Sequence, residues 1–256
     1  MRRLTIPEIE DQPFTPAWLR DLLTDFLREM AIRLELYAPV KPLIERLLRS
    51  GDTRAVVDLC SGAGGPWRAL MEADWDVQVT LTDLHPHTGR DRLDAAGSGL
   101  HFEPEPVDAL AVPRRLSGVR TLFSGLHHLS DEQARALFER AMADQCPLGA
   151  FEFVERRFGR LLVDTVMAPL LVLLLTPSIR PRRVRRYLLT YLVPLVPLVV
   201  LWDGLASDLR ARTIEELEEL LEPLRSPDYH WEVGTVVSAR TRTRITYVIG
   251  EPRPAP

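Results

Sequence analysis

An apolar run that empties into a cluster of glycines constrains the fold of this chain more than any other feature. It reads Val56-Val57-Asp58-Leu59-Cys60-Ser61-Gly62-Ala63-Gly64-Gly65-Pro66-Trp67. A short apolar segment bounded by turn residues reads as a buried strand. The glycines allow a sharp turn, and Pro66 suits the first position of a helix, where its missing N–H costs nothing. A second acid, Asp83, closes the apolar run Val77-Gln78-Val79-Thr80-Leu81-Thr82. Strand, turn, helix and second strand point to an α/β fold with a parallel sheet. In such folds ligands bind at the carboxyl edge of the strands.

Glycine carries no Cβ, so a ligand can lie against the main chain of this turn. Asp83, at the end of the neighbouring strand, can accept hydrogen bonds from both hydroxyls of a ribose. The pair builds a pocket for an adenine nucleoside. Dinucleotide-binding turns follow G-x-G-x-x-G, with the third glycine permitting close helix–sheet contact. Gly62 and Gly64 fit, but the third position is Trp67, whose bulk argues against a pyrophosphate-binding turn. S-adenosylmethionine has no phosphates and needs a roomier loop. The segment resembles motif I of the class I S-adenosylmethionine-dependent methyltransferases, in a variant with Cys-Ser before the first glycine. The plain alternative is a strand–turn–helix with incidental glycines.

The resemblance implies a Rossmann-like, seven-stranded α/β sheet ending in an antiparallel C-terminal hairpin, and S-adenosylmethionine as cofactor. It assigns cofactor contacts to Asp58, Cys60, Ser61, Gly62, Gly64, Asp83, Leu84 and Ser124. It also assigns them to Asp108-Ala109, where an acid and a small residue meet the adenine. Asp108 also suits a loop or cap for purely local reasons.

The remaining strands are expected near Leu100 to Glu103, at Val119 to Ser124 and at Leu148 to Val154. Trp231 to Val237 and Arg244 to Ile249 form the hairpin, with Ile245, Tyr247 and Ile249 opposite Thr246 and Val248. Ahead of the sheet, Thr15-Pro16 reads as the cap and first position of a helix. Leu19, Leu22, Leu23, Phe26, Leu27 and Met30 form its apolar face. A second helix is expected from about Val40 to Leu48. Ser130 with Gln133 reads as a capping box. Thr213-Ile214-Glu215-Glu216 starts another capped helix ending at Pro223. The chain therefore divides into an N-terminal helical cap (1–50), a Rossmann-like cofactor core (51–155 plus 228–251) and a helical lid or insert (156–227).

That insert exceeds what a single crossover helix needs. Leu161 to Leu175 is apolar apart from Asp164 and Thr165. Arg180-Pro181-Arg182-Arg183-Val184-Arg185-Arg186 follows, then Tyr187 to Trp202 without a charge. The apolar runs fall short of the ~20 residues of a membrane span, and Pro169, Pro194 and Pro197 interrupt them. Two readings stay open besides plain core packing: a lid lining a lipophilic acceptor pocket, and peripheral membrane contact through 161–202.

A net charge of −4 gives no global basic field for nucleic acid. Cys60 and Cys146 lack metal-like spacing, which suggests a reduced, cytoplasmic compartment, with membrane association as the variant. The stretch after Met1-Arg2-Arg3 does not read as a secretory signal. For the chemistry, His127 and His128 are the candidate bases beside the cofactor, since histidine titrates near neutrality. The alternative for His128 is a structural role before Ser130. Asp203 either faces the pocket or caps the next segment. His85 and His87 lack a third ligand, so no metal is expected. The expected function is transfer of a methyl group to a small, lipophilic acceptor. The alternatives are a methyltransferase-like protein with other chemistry and a peripheral membrane-binding protein.

Overall fold

The computed structural model describes residues 1–71, 75–87 and 99–253. The polar stretch expected after His87 lies largely outside them. Seven strands form one sheet: β1 (Ala55–Leu59), β2 (Gln78–Leu81), β3 (Leu100–Phe102), β4 (Val119–Phe123), β5 (Leu148–Glu152), β6 (Tyr229–Val237) and β7 (Arg244–Pro252). Their order is β3-β2-β1-β4-β5-β7-β6. The first five are parallel, and β7 runs antiparallel to both β5 and β6. This is the expected sheet. The hairpin is longer than expected, because Tyr229 and Pro252 still pair beyond the apolar alternation.

Eight α-helices are described: α1 (Ala17–Arg33), α2 (Lys41–Ser50), α3 (Trp67–Leu70), α4 (Asp131–Ala143), α5 (Phe158–Leu175), α6 (Val184–Tyr187), α7 (Leu195–Arg210) and α8 (Ile214–Leu221). One sheet face packs Val56, Val79, Phe123, Phe151, Ile245 and Ile249 against Ile44 and Leu47 of α2 and Trp67 of α3. The other packs Val57, Leu122, Ala150 and Val248 against α4 and α8. Burial on both faces leaves every residue of β4 and β5 buried, Arg120 and Thr121 included. A third cluster stands apart: Leu19, Leu22, Leu23 and Phe26 of α1 with Val172 of α5 and Val196, Val199 and Val200 of α7. By packing, then, α2 and α8 are layers of the sheet, while α1 joins the insert.

Both capping boxes form, at Ser130–Gln133 and Thr213–Glu216. The expected cap at Thr15 does not. Pro16 is the N-cap residue of α1, and the Thr15 hydroxyl instead donates to the Ile9 carbonyl. Leu27, placed on the apolar face by spacing, is 39% exposed. Pro169 does not interrupt the first apolar run but sits inside α5. Pro194 does act as a break, between a π turn at Leu188–Leu192 and α7.

Candidate active site

The turn after β1 carries its strain where the glycines allow it. Gly62 and Gly64 have φ of 54° and 95°. A Cβ on Gly62 would stand 3.1 Å from the Thr24 side chain, and one on Gly64 3.2 Å from the Phe102 ring. Cys60 and Ser124, at the ends of neighbouring strands, also adopt positive φ, 54° and 48°. Such backbone in non-glycine residues marks positions held by their surroundings and clusters at functional sites.

Asp58 lies beneath this turn. Its Oδ1 accepts from the Thr121 hydroxyl at 2.6 Å and its Oδ2 from Ser61 at 2.7 Å. Burial pushes its carboxyl up to about 6, against the pull of the Thr121 and Ser61 hydrogen bonds. With both oxygens occupied by protein hydroxyls, Asp58 and Ser61 brace the loop from below. Trp67 is fully buried, edge-on to Phe123 at 5.7 Å, so the indole at the third position fills the core.

Asp83 stands half-buried at the end of β2. Its Oδ2 accepts from the Gly62 N–H and its Oδ1 from the His85 N–H, both at 2.8 Å. Each oxygen keeps a lone pair for a further donor. Burial raises its carboxyl above the usual range, opposed by those two backbone donors. Leu84 beside it is 54% exposed, an apolar surface at the strand edge. The Cys60 thiol is open to solvent, yet the surrounding protein and the nearby carboxylates Asp83, Asp58 and Asp108 raise its pKa. Asp108 is exposed and accepts from the Leu110 N–H at 2.9 Å, with Ala109 buried behind it. Ser124 bonds Tyr37 at 2.7 Å. The expected cofactor residues thus meet around one strand edge, with Asp58 and Ser61 as its foundation. An edge with two open carboxylate lone pairs, a Cβ-free turn and an exposed leucine fits an adenosyl group.

On the other side of β4, His127 and His128 follow the strand in a short 3-10 turn, their rings 4.2 Å apart. His127 is buried. Its Nδ1 lies 2.6 Å from Glu152 Oε2, while Glu152 Oε1 accepts from the Leu126 N–H at 2.7 Å. Burial pushes the Glu152 carboxyl up, but His127 and the Leu126 N–H bring it below its ordinary value. The carboxylate accepts from Nδ1–H, which leaves Nε2 as the ring nitrogen turned away from Glu152. His128 differs. Its Nδ1 pairs with Asp11 at 2.9 Å and lies 3.6 Å from Glu8. Burial works against its charge, yet Glu8 and Asp11 raise it to about 9. It is therefore an imidazolium at neutral pH, which opposes the expectation that it acts as a base.

An N-terminal strap supplies these carboxylates. Glu8 lies 3.7 Å from His127 Nε2, and Arg210 Nη1 bridges Glu8 and Asp11 at 3.3 and 3.1 Å. Glu8, His127 and His128 bring ligand atoms within 4.8 Å of one another. The Arg210 guanidinium and the imidazolium already supply positive charge there. Asp203 sits inside α7 and does not cap a following segment: it accepts from the N–H groups of Ile9 and Glu10, tying the strap to α7. Spacing could not reveal Glu8, Asp11 or Arg210. Glu152 did leave a signal, as a charge closing an otherwise apolar strand.

The sheet order, the glycine turn after β1 and the carboxylate after β2 define the class I methyltransferase fold. No protein-family model matches the sequence, and no curated protein does. Solved structures do match. The plantazolicin methyltransferase BpumL, in complex with a pentazolic desmethylPZN analog and SAH, has a TM-score of 0.55 at 9% identity, over 92% of this chain and 99% of its own. The mitomycin 7-O-methyltransferase MmcR has a TM-score of 0.50 at 15% identity, over 85% of this chain and 54% of its own. An O-methyltransferase family protein from Burkholderia thailandensis has the same TM-score and identity, over 93% of this chain and 60% of its own. The chain spans little more than half the length of the last two. Identities this low carry the fold alone.

Proposed function

We propose that the chain is an S-adenosylmethionine-dependent methyltransferase acting on a small, lipophilic acceptor. One observation carries this reading above the others: Asp83, at the end of β2, holds the Gly62 N–H and keeps both oxygens open to ribose hydroxyls. Gly62 and Gly64 would let the adenosyl group lie against the backbone, and Asp108-Ala109 and Leu84 would flank its adenine. The cofactor, when bound, supplies a methyl group on a sulfonium centre. The protein's share is orientation and exclusion of water.

His127 is the residue suited to take a proton from an acceptor. Glu152 holds its Nδ1, which orients the ring and stabilises the charge it would gain. His128, Glu8 and Asp11 set the field around that ring. The lipophilic acceptor class is supported by α7, whose first half is apolar in sequence and whose second half reaches the turn carrying His127 and His128. Calorimetry with S-adenosylmethionine and S-adenosylhomocysteine tests the cofactor assignment, and failure to take up either overturns it. Release of S-adenosylhomocysteine against a panel of lipophilic alcohols, phenols and amines tests the reaction and its acceptor.

A further inference from the structure

The insert exposes what a helix normally hides. Of the eighteen residues of α5 only Val172 is buried. Phe158, Leu162, Val166, Leu170 and Leu174 recur at helical spacing, exposed by 68, 56, 62, 40 and 63%. They make one apolar ridge along the outer side of the helix. The ridge continues past its end. Tyr191 donates to the Leu173 carbonyl at 2.7 Å, which seats the π turn beside the last turns of α5, and Leu188, Leu192, Val193 and Leu198 are exposed there too. An apolar patch of this length on a soluble surface marks an interaction face.

The charge around the ridge identifies the partner. Residues 156–202 hold eight arginines and a single acid, Asp164, in a chain whose net charge is −4; Arg156, Arg157, Arg183 and Arg186 pair with carboxylates from outside the segment. Asp164 is already paired with Arg160 at 2.8 Å. Arg157, Arg180, Arg182 and Arg185 are exposed, and Arg180 and Arg182 form no ion pair among the described residues. They stand in the link between α5 and the π turn, at the end where the two apolar surfaces meet. A second copy of the chain is a poor occupant. A two-fold contact pairs one patch with itself, setting these arginines against their own equivalents with no acid between them. Headgroups carrying negative charge above an apolar interior match the pattern.

By length and composition α5 could cross a bilayer. Its packing opposes that. The helix lies against α7, and the second apolar segment bends by 76° between Val184–Leu192 and Leu195–Arg210. Trp202, half exposed with its indole N–H on the Pro7 carbonyl, has the amphipathic character of a residue at the water–lipid boundary.

We infer that the α5 ridge and the adjoining Leu188–Leu198 corner form a peripheral docking face for an anionic lipid bilayer, with α5 lying in the interface plane. The inference stands apart from the proposed chemistry. The experiment is co-sedimentation of the full chain with vesicles of phosphatidylcholine alone and of phosphatidylcholine with phosphatidylglycerol. Wild type pellets with the anionic vesicles and weakly with the neutral ones. The variant Arg180→Glu/Arg182→Glu binds anionic vesicles at least about twentyfold less, at roughly fivefold per arginine. Leu162→Asp/Leu170→Asp abolishes pelleting. Both variants alter exposed side chains, and their melting curves and binding of S-adenosylhomocysteine are measured alongside, so a misfolded variant or a failed cofactor assignment is told apart from lost docking. Wild type that stays in the supernatant with anionic vesicles overturns the inference. So does binding that either variant leaves intact, or a vesicle-free dimer that Leu162→Asp/Leu170→Asp dissolves.

Discussion

Replacing Asp83 with alanine removes the carboxylate that we propose holds a ribose. In the free protein each of its oxygens accepts a single backbone N–H, from Gly62 and His85, so two acceptor sites face the ligand. A hydrogen bond to a charged group contributes about 1.5–3 kcal/mol, a gross gain of about 3–6 kcal/mol for two. Burial already holds this carboxylate above its ordinary pKa, and a ligand strips its remaining water, which offsets part of the gain. The net loss on substitution is therefore about 2–4 kcal/mol, or about 30- to 1000-fold in affinity. Calorimetric titration with S-adenosylhomocysteine reads it, with thermal unfolding as the control for the loop. Asp83→Asn, which keeps one acceptor oxygen, falls between. The same carboxyl predicts that affinity declines as pH falls through its raised pKa. A folded Asp83→Ala protein that binds within about threefold of wild type refutes the reasoning.

Other expectations follow from the same contacts. Glu152→Gln replaces the charged acceptor at His127 Nδ1 with a neutral amide, so turnover falls at least about tenfold and the acidic limb of the pH–rate profile moves, while S-adenosylhomocysteine affinity stays constant; an unmoved profile returns His127 to a structural role. His128 is raised from 6.5 to about 9 in the folded state, so its contribution of about 3 kcal/mol is fully present below pH 6.5 and is lost as pH rises through 9. Urea unfolding across that window shows the decline, and His128→Gln flattens it. Arg186 is buried against Asp25, with Arg28 at 3.1 Å from the same carboxylate. Arg186→Met strands part of that charge and costs about 3 kcal/mol by chemical denaturation, a value below about 1 kcal/mol showing that Arg28 compensates fully. Gly64→Ala forces φ of 95° on an L-residue and destabilises by about 1–3 kcal/mol, read as a lowered unfolding midpoint.

The parts legible in the sequence were those set by neighbours along the chain. The turn at Gly62 to Gly65 needs positive φ, and only glycine supplies it without strain, so the residue type announced the geometry. Ser130 with Gln133 and Thr213 with Glu216 are three residues apart, within reach of one another as soon as a helix starts. The short apolar runs at 56–59 and 77–82, each ending at a turn or an acid, announced the strands of a parallel sheet. Together these determined the fold and the place of Asp83 at its edge.

Tertiary structure decided the rest, because it depends on residues far apart in sequence. His127 and His128 looked alike until Glu152 took the Nδ1 of one and Asp11 and Glu8 surrounded the other. The partners that charge His128 lie over a hundred positions away in the chain. The resemblance assigned Asp58 to the cofactor along with Asp83, yet Thr121 and Ser61 claimed both of its oxygens. An apolar helix has one composition whether its side chains are buried or bare. Only the packing of α5 on α7 could show that its longest apolar stripe points outward.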